Sequence, residues 1–150
     1  MKVKDILDTL KRPTITIAGD KTIQDAMKLM VDHKIGSVVV VNAGGDPAGI
    51  LTERDIFRLC HHCKAAMMTM KIADHMTTDL AVGLPEDDLN YIAQVITQKR
   101  VRHIPIIDAA GKLCGLISIG DIVKAKLTEA EVHVRYLTEY ITGRARTGAE

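Results

Sequence analysis

The chain has 150 residues, of which 47% are hydrophobic, 26% charged and 3% aromatic, and its formal net charge is +1. A chain of this length buries roughly two-thirds of its unfolded surface without disulfide staples, as one domain or as two small units sharing a core. Near-neutral charge argues against duplex nucleic acid or an anionic membrane as partner, and no apolar run approaches the roughly 20 residues of a membrane span. Three cysteines and no leader-like segment after Met1 lead us to expect a reducing, cytoplasmic setting.

In chain order, an extended lead-in at Thr14 to Ile17 precedes an amphipathic helix on which Ile23, Ala26, Met27 and Met30 share a face. Two short strands follow, SVVVV at 37 to 41 and one ending near Thr52, joined by the turn NAGGDP. The unbroken valines predict a strand covered on both faces. A second helix begins at Thr52. The linker, roughly Cys63 to Lys71, carries Met67, Met68 and Met70, side chains flexible enough to line the interface between two halves.

The pattern then recurs 66 residues later. Leu80 to Gly83 form the lead-in, Leu89, Ile92, Ala93 and Ile96 mark the helix, and HIPII at 103 to 107 takes the place of SVVVV. NAGGDPAGILTERDIF (42 to 57) lies on DAAGKLCGLISIGDIV (108 to 123) without a gap, which sets Gly49 on Gly115, Thr52 on Ser118 and Asp55 on Asp121. A shared pattern of this kind marks a duplicated supersecondary unit. The expected fold is α/β (α+β): two strand, helix, strand, strand, helix repeats, packed sheet against sheet about a pseudo-twofold axis. Farther on, Leu127, Ala130, Val134, Leu137 and Ile141 place one apolar stripe on a helix over 124 to 144, either docked on its own domain or forming a dimer contact. The chain thus divides into a first repeat at 1–65, a second at 66–124 and a C-terminal helix and tail at 125–150.

The echoed Thr-x-x-Asp and Ser-x-x-Asp have two readings. As a capping box, the hydroxyl and the acid satisfy the orphan N–H groups of a helix start. Asp reaches back less easily than the usual Glu or Gln, which favours a nucleoside site instead. One carboxylate can accept both ribose hydroxyls, and Thr52 or Ser118 at a helix N-terminus suits phosphate. Gly49 and Gly115 would leave room for a ligand to approach the backbone.

GILTERD (49 to 55) and GLISIGD (115 to 121), with RHIPIID before the second, resemble the closing motifs of the CBS-domain pair, or Bateman module, over roughly residues 1 to 124. The resemblance implies a non-catalytic sensor that binds an adenine nucleotide, AMP first, ATP or NAD(H) as alternatives, in clefts between the repeats. It implies a homodimer acting on an unknown target protein. Asp55 and Asp121 would hold ribose, and Thr52 and Ser118 would reach phosphate. Gly36, Ser37 and Val38, with Arg102, His103, Ile104 and Pro105, would line the clefts, and Thr16 would lie near the base. Arg102 and His103 would pair with phosphate or form a solvated basic edge. Arg54 would add a phosphate contact or pair with Glu53 or Asp55.

CHHC at 60 to 63 invites a metal or thiol sensor, but structural zinc draws its ligand pairs from separated segments, and the second pair is absent. On a helix starting near Thr52, Cys60 would face the core, and His61 and His62 would sit favourably at the C-terminus. No nucleophile elbow, P-loop or H-E-x-x-H is present, so an enzyme is not expected. An interaction scaffold with empty clefts is the other alternative.

Overall fold

The structure is a computed structural model and describes residues 1–143. Its elements are α1 (Val3–Leu10), β1 (Thr16–Ala18), α2 (Ile23–His33), β2 (Ser37–Val41), β3 (Pro47–Thr52), α3 (Glu53–Cys63), α4 (Leu89–Lys99), β4 (His103–Ile107), β5 (Leu113–Ser118) and α5 (Ile119–Ile141). Between α3 and α4 the linker forms two short 3-10 turns, Lys64–Thr69 and Ile72–Asp74.

In the first repeat β1 runs parallel to β2, and β2 pairs antiparallel with β3. The second repeat pairs β4 with β5 in the same register: Val40 faces Gly49 in one copy, Ile106 faces Gly115 in the other. Its lead-in makes only one bridge, Gly83 to Ile106, where the first copy has a strand. Pro85 follows two residues later and has no N–H for a ladder.

Both hairpin turns are built alike. Asn42 Oδ1 accepts from the N–H groups of Gly44 and Asp46, and Asp108 Oδ1 from those of Ala110 and Lys112. Gly45 (φ 80°) and Gly111 (φ 78°) take the left-handed turn position that a Cβ would strain. Asp46 and Lys112 are equivalent residues, and they form an ion pair with each other at 2.6 Å. A residue can meet its own equivalent only beside the twofold axis, so the axis passes between the two turns.

Each repeat has its own buried cluster. Ile23, Ala26, Met30, Val38, Val40, Leu51 and Ile72 form the first; Val3, Ile6, Leu89, Ile92, Ile96, Ile104, Ile106, Ile117 and Ile122 form the second. Strand alternation turns Val39 and Ile50 to the opposite face of the first sheet, yet both are buried outside either cluster, as the meeting of two sheets requires. The segments leading into the repeats are exchanged. Ile6 from α1 lies in the second core, while its equivalent Ile72 lies in the first, with Met70 and Met76 packed beside it. Of the linker methionines, Met70 packs on the first cluster, and Met67 is buried outside either cluster.

The helix expected over 124 to 144 is the distal part of α5, continuous with the last helix of the second repeat. From Leu127 onward its side chains are exposed, and Arg144 with the rest of the tail lies outside the described residues. Among the described residues no helix is long and apolar enough to cross a membrane.

Candidate functional site

Two clefts lie between the repeats, each joining the lead-in and pre-strand segment of one repeat to the capped helix of the other. Cleft 1, about 290 Å³, is walled by Arg12 to Ile15 and Lys34 to Ser37 of the first repeat, by Cys114 to Leu116 and Ser118 of the second, and by Leu7, Leu10 and His103. Cleft 2, about 260 Å³, is walled by Arg100 to His103 and Thr77 on one side and by Ile50, Thr52 to Asp55 and Arg58 on the other. Gly36 and His103 belong to both walls, so the clefts share a partition.

Sequence dictates the capped helix starts. Thr52 and Ser118 adopt extended backbone as N-caps, and each hydroxyl accepts from the N–H of the Asp three residues on. Each Asp accepts in return: Thr52 N–H and Oγ1–H reach Asp55 Oδ2 at 3.0 and 3.1 Å, and Ser118 N–H and Oγ–H reach Asp121 Oδ2 at 2.8 Å each. Asp is therefore long enough to close both capping boxes, contrary to the expectation that it reaches back poorly. Capping leaves one oxygen of each carboxylate. Asp55 Oδ1 has no partner among the described residues, whereas Asp121 Oδ1 accepts from Arg12 Nη1 at 3.0 Å.

Arg12 is the residue the sequence did not disclose. Its guanidinium forks onto both oxygens of Asp121, and Nη2 also donates to the Leu116 carbonyl at 3.2 Å. Burial pushes the Asp121 carboxyl up, but the Arg12 bonds and the Ser118 backbone and hydroxyl donors outweigh it and hold the group below its ordinary range. Lys34 and Arg100 were also missed. They are equivalent residues, each the left-handed C-cap of its helix (φ 54°), and each lines one cleft. The signal available in the sequence was a basic residue at the same place, just after the helical pattern, in both copies.

Of the residues singled out from sequence, Gly36, Ser37, Thr52, Arg54, Asp55, Arg102, His103 and Ser118 line the clefts. Asp121 adjoins cleft 1 through Arg12. Four others do not line either cleft. Val38, Ile104 and Pro105 are buried in their sheets, and Thr16 is exposed on β1 while Thr14 and Ile15 hold the wall. Gly49 and Gly115 do not serve mainly to admit a ligand: a Cβ at Gly49 would sit 2.9 Å from the Thr77 carbonyl, and one at Gly115 would sit 2.6 Å from Leu7 Cδ2. Their space is taken by the exchanged segments. Cys60 does not face the core; it is exposed, because Ile56 and Leu59 occupy the inward side of α3. Among the described residues no three of His, Cys, Asp and Glu gather as a metal set.

Two features of the walls call for a ligand. Ser37 is 2% exposed and lines cleft 1, yet its Oγ has no hydrogen-bond partner among the described residues. An unpaired buried hydroxyl costs about 1–3 kcal/mol, which a ligand atom would recover. The rims are basic as well: Arg54, Arg58, Arg100 and Arg102 surround cleft 2, against Glu53 and Asp55. Such a rim suits phosphate.

A family model of the CBS domain matches residues 3–62 and 72–128, and the chain belongs to the CBS-domain family, carrying the domain as a pair. It is similar to the mitochondrial CBS domain-containing protein CBSX3 of Arabidopsis thaliana, 38% identical over 128 residues, which are 83% of this chain and 62% of that protein. The chain thus spans less than two-thirds of that relative. The CBS domain-containing protein YhcV of Bacillus subtilis is 31% identical over 80% of this chain and 84% of its own length. Among solved structures, the CBS-domain containing protein ATU1752 of Agrobacterium tumefaciens matches with a TM-score of 0.79 at 36% identity, covering 83% of this chain and 92% of that one. Two less similar structures share the fold and hold ligands. The CBS domain pair of protein MJ0100, in complex with 5′-methylthioadenosine and S-adenosyl-L-methionine, has a TM-score of 0.77 at 23% identity, with coverage of 86% and 98%. Protein PAE2072 of Pyrobaculum aerophilum, complexed with AMP, has a TM-score of 0.73 at 20% identity, with coverage of 81% and 89%.

Proposed function

We propose that the chain is a non-catalytic regulatory module that binds an adenine nucleotide in the clefts between its CBS repeats and reports occupancy to a partner protein in the cytoplasm. AMP is the first candidate, with ATP and NAD(H) as alternatives. The observation that carries this reading is the build of cleft 2. A carboxylate with one uncommitted oxygen, Asp55 Oδ1, stands at a helix start among four arginines and His103. Ribose wants an acceptor and phosphate wants that rim. The adenosine-type ligands of two proteins with the same fold support the choice of base.

Self-association is supported by apolar side chains left in water at equivalent places. Phe57 on α3 is 76% exposed, with Val31 lining the same surface hollow, and Val123, its equivalent on α5, is 51% exposed, with Leu127 one turn farther along the helix. Exposed apolar faces of this kind suit a second copy of the chain or the regulated protein.

Isothermal titration of nucleotide-stripped protein with AMP, ATP, NADH and 2′-deoxy-AMP tests the reading. At least one ribonucleotide should bind, the 2′-deoxy change should weaken AMP, and Asp55→Ala should weaken binding by roughly ten- to a hundredfold, the worth of one charge-assisted hydrogen bond. No binding by demonstrably folded protein would leave the repeated motif a capping device and the chain an interaction scaffold.

A further inference from the structure

The two ribose-reading carboxylates proposed above are chemically equivalent in sequence and unequal in the structure. In cleft 2, Asp55 spends one oxygen on its helix cap, and the other has no partner among the described residues. In cleft 1, Asp121 spends one oxygen on its cap and gives the other to Arg12, whose fork also takes a share of the capping oxygen. The position equivalent to Arg12 is Thr78, which carries no charge, so cleft 2 has no such clamp.

Resting on the nucleotide reading, we infer that Arg12 makes cleft 1 selective for phosphorylated ligands, by holding Asp121 in the empty cleft and passing to the phosphate of the incoming nucleotide. The chemistry follows from what each ligand offers in return. The Asp121 side chain is only 10% exposed with the guanidinium in place, so Arg12 is what covers the carboxylate, and drawing it away leaves a charge that an occupant of the cleft must satisfy. A nucleoside supplies two neutral hydroxyl donors to the carboxylate and nothing to Arg12. A nucleotide supplies the same hydroxyls and a phosphate that takes the guanidinium fork. Arg12 is 48% exposed and lines cleft 1, so it can swing between the two anions without disturbing the core. The buried Ser37 Oγ in the same wall is a second group of cleft 1 left without a partner among the described residues. Cleft 2 lacks the clamp and should accept nucleoside and nucleotide alike, differing only by the pull of its arginines.

Titration calorimetry of the full chain with AMP and with adenosine reads this directly as stoichiometry. The wild type should bind two AMP and one adenosine per chain. Arg12→Gln should bind adenosine at two sites and narrow the AMP-to-adenosine ratio of cleft 1 at least tenfold, with cleft 2 unchanged. Arg12→Lys keeps the charge, loses the fork and should fall between, which covers the case that Arg12→Gln folds poorly. Asp55→Ala, applied in each background, assigns the remaining site to cleft 1. Adenosine filling both wild-type clefts equally, or an unchanged ratio in both Arg12 variants, overturns the inference while AMP binding in cleft 2 keeps the nucleotide reading intact. Absence of AMP binding in both clefts overturns the two together.

Discussion

His103 stands in the partition between the clefts, and burial pushes its imidazole below the ordinary pKa, with Arg12 and Arg102 acting in the same direction and Asp121 and Glu53 opposing. Its folded value lies under 6.5, so the unfolded chain binds more protons, and this contribution to stability is complete above pH 6.5 and declines as pH falls through 6.5 toward the folded value. A bound phosphate reverses the local field and favours imidazolium. The proton count of AMP binding at pH 6, read from apparent heats in buffers of different ionisation enthalpy, should therefore be higher in the wild type than in His103→Gln, the share of the phosphate itself, whose second pKa is about 6, being common to both. Equal proton counts for wild type and His103→Gln would show that phosphate does not sit against this histidine. Ser37 is the residue equivalent to His103. The same wall position thus presents a neutral hydroxyl to one cleft and an ionisable ring to both.

At the scale of elements, the equivalent glycines 49 and 115 should respond differently to alanine. An added Cβ at Gly49 meets the Thr77 carbonyl at 2.9 Å and Met76 Sδ at 2.5 Å, and the backbone there is fixed by its bonds to Ile50. At Gly115 it meets only the methyl end of Leu7. Overpacking costs about 1–3 kcal/mol where nothing can give, so Gly49→Ala should lower the urea midpoint clearly more than Gly115→Ala. The elements themselves were legible because their causes are local: caps at Thr52 and Ser118, turns at Gly45 and Gly111, apolar spacing along α2 and α4. The unbroken valines of β2, in a pattern that recurs 66 residues later, made the paired sheets legible too. What escaped was decided by partners far along the chain. Nothing near Ile6 shows that its core lies in the second repeat, nothing near Arg12 shows that its anion is Asp121, and Cys60 was misplaced because its neighbours Ile56 and Leu59 had already claimed the inward face of α3. The strand expected from Leu80 shrank to one bridge at Gly83.

For the whole molecule, the exchange of Ile6 and Ile72 makes the repeats interdependent. Ile6→Ala should cost about 2–5 kcal/mol, the range for truncating a buried isoleucine, and should destabilise the second repeat although the change lies at the start of the first. Hydrogen exchange resolved by peptide would check it: amides of α4 and β4 should lose protection at least as much as those of α2 and β2. Protection lost only around β1 to β3 would contradict the assignment of α1 to the second core.

The docking of α1 also sets an order of events during synthesis. The N-terminal strap is tied down by partners far downstream: Lys2 and Lys4 pair with Glu86, 84 and 82 residues away, and the Leu89 N–H donates to the Met1 carbonyl. On the ribosome the first repeat can close once the segment carrying Ile72 has emerged, while the strap, which emerged before the first repeat, waits with Val3 and Ile6 unburied. The second repeat closes last, and it needs a segment made before the first repeat to do so. A nascent chain stalled between the two would carry a finished first sheet and a loose apolar leader, the species that a chaperone would meet.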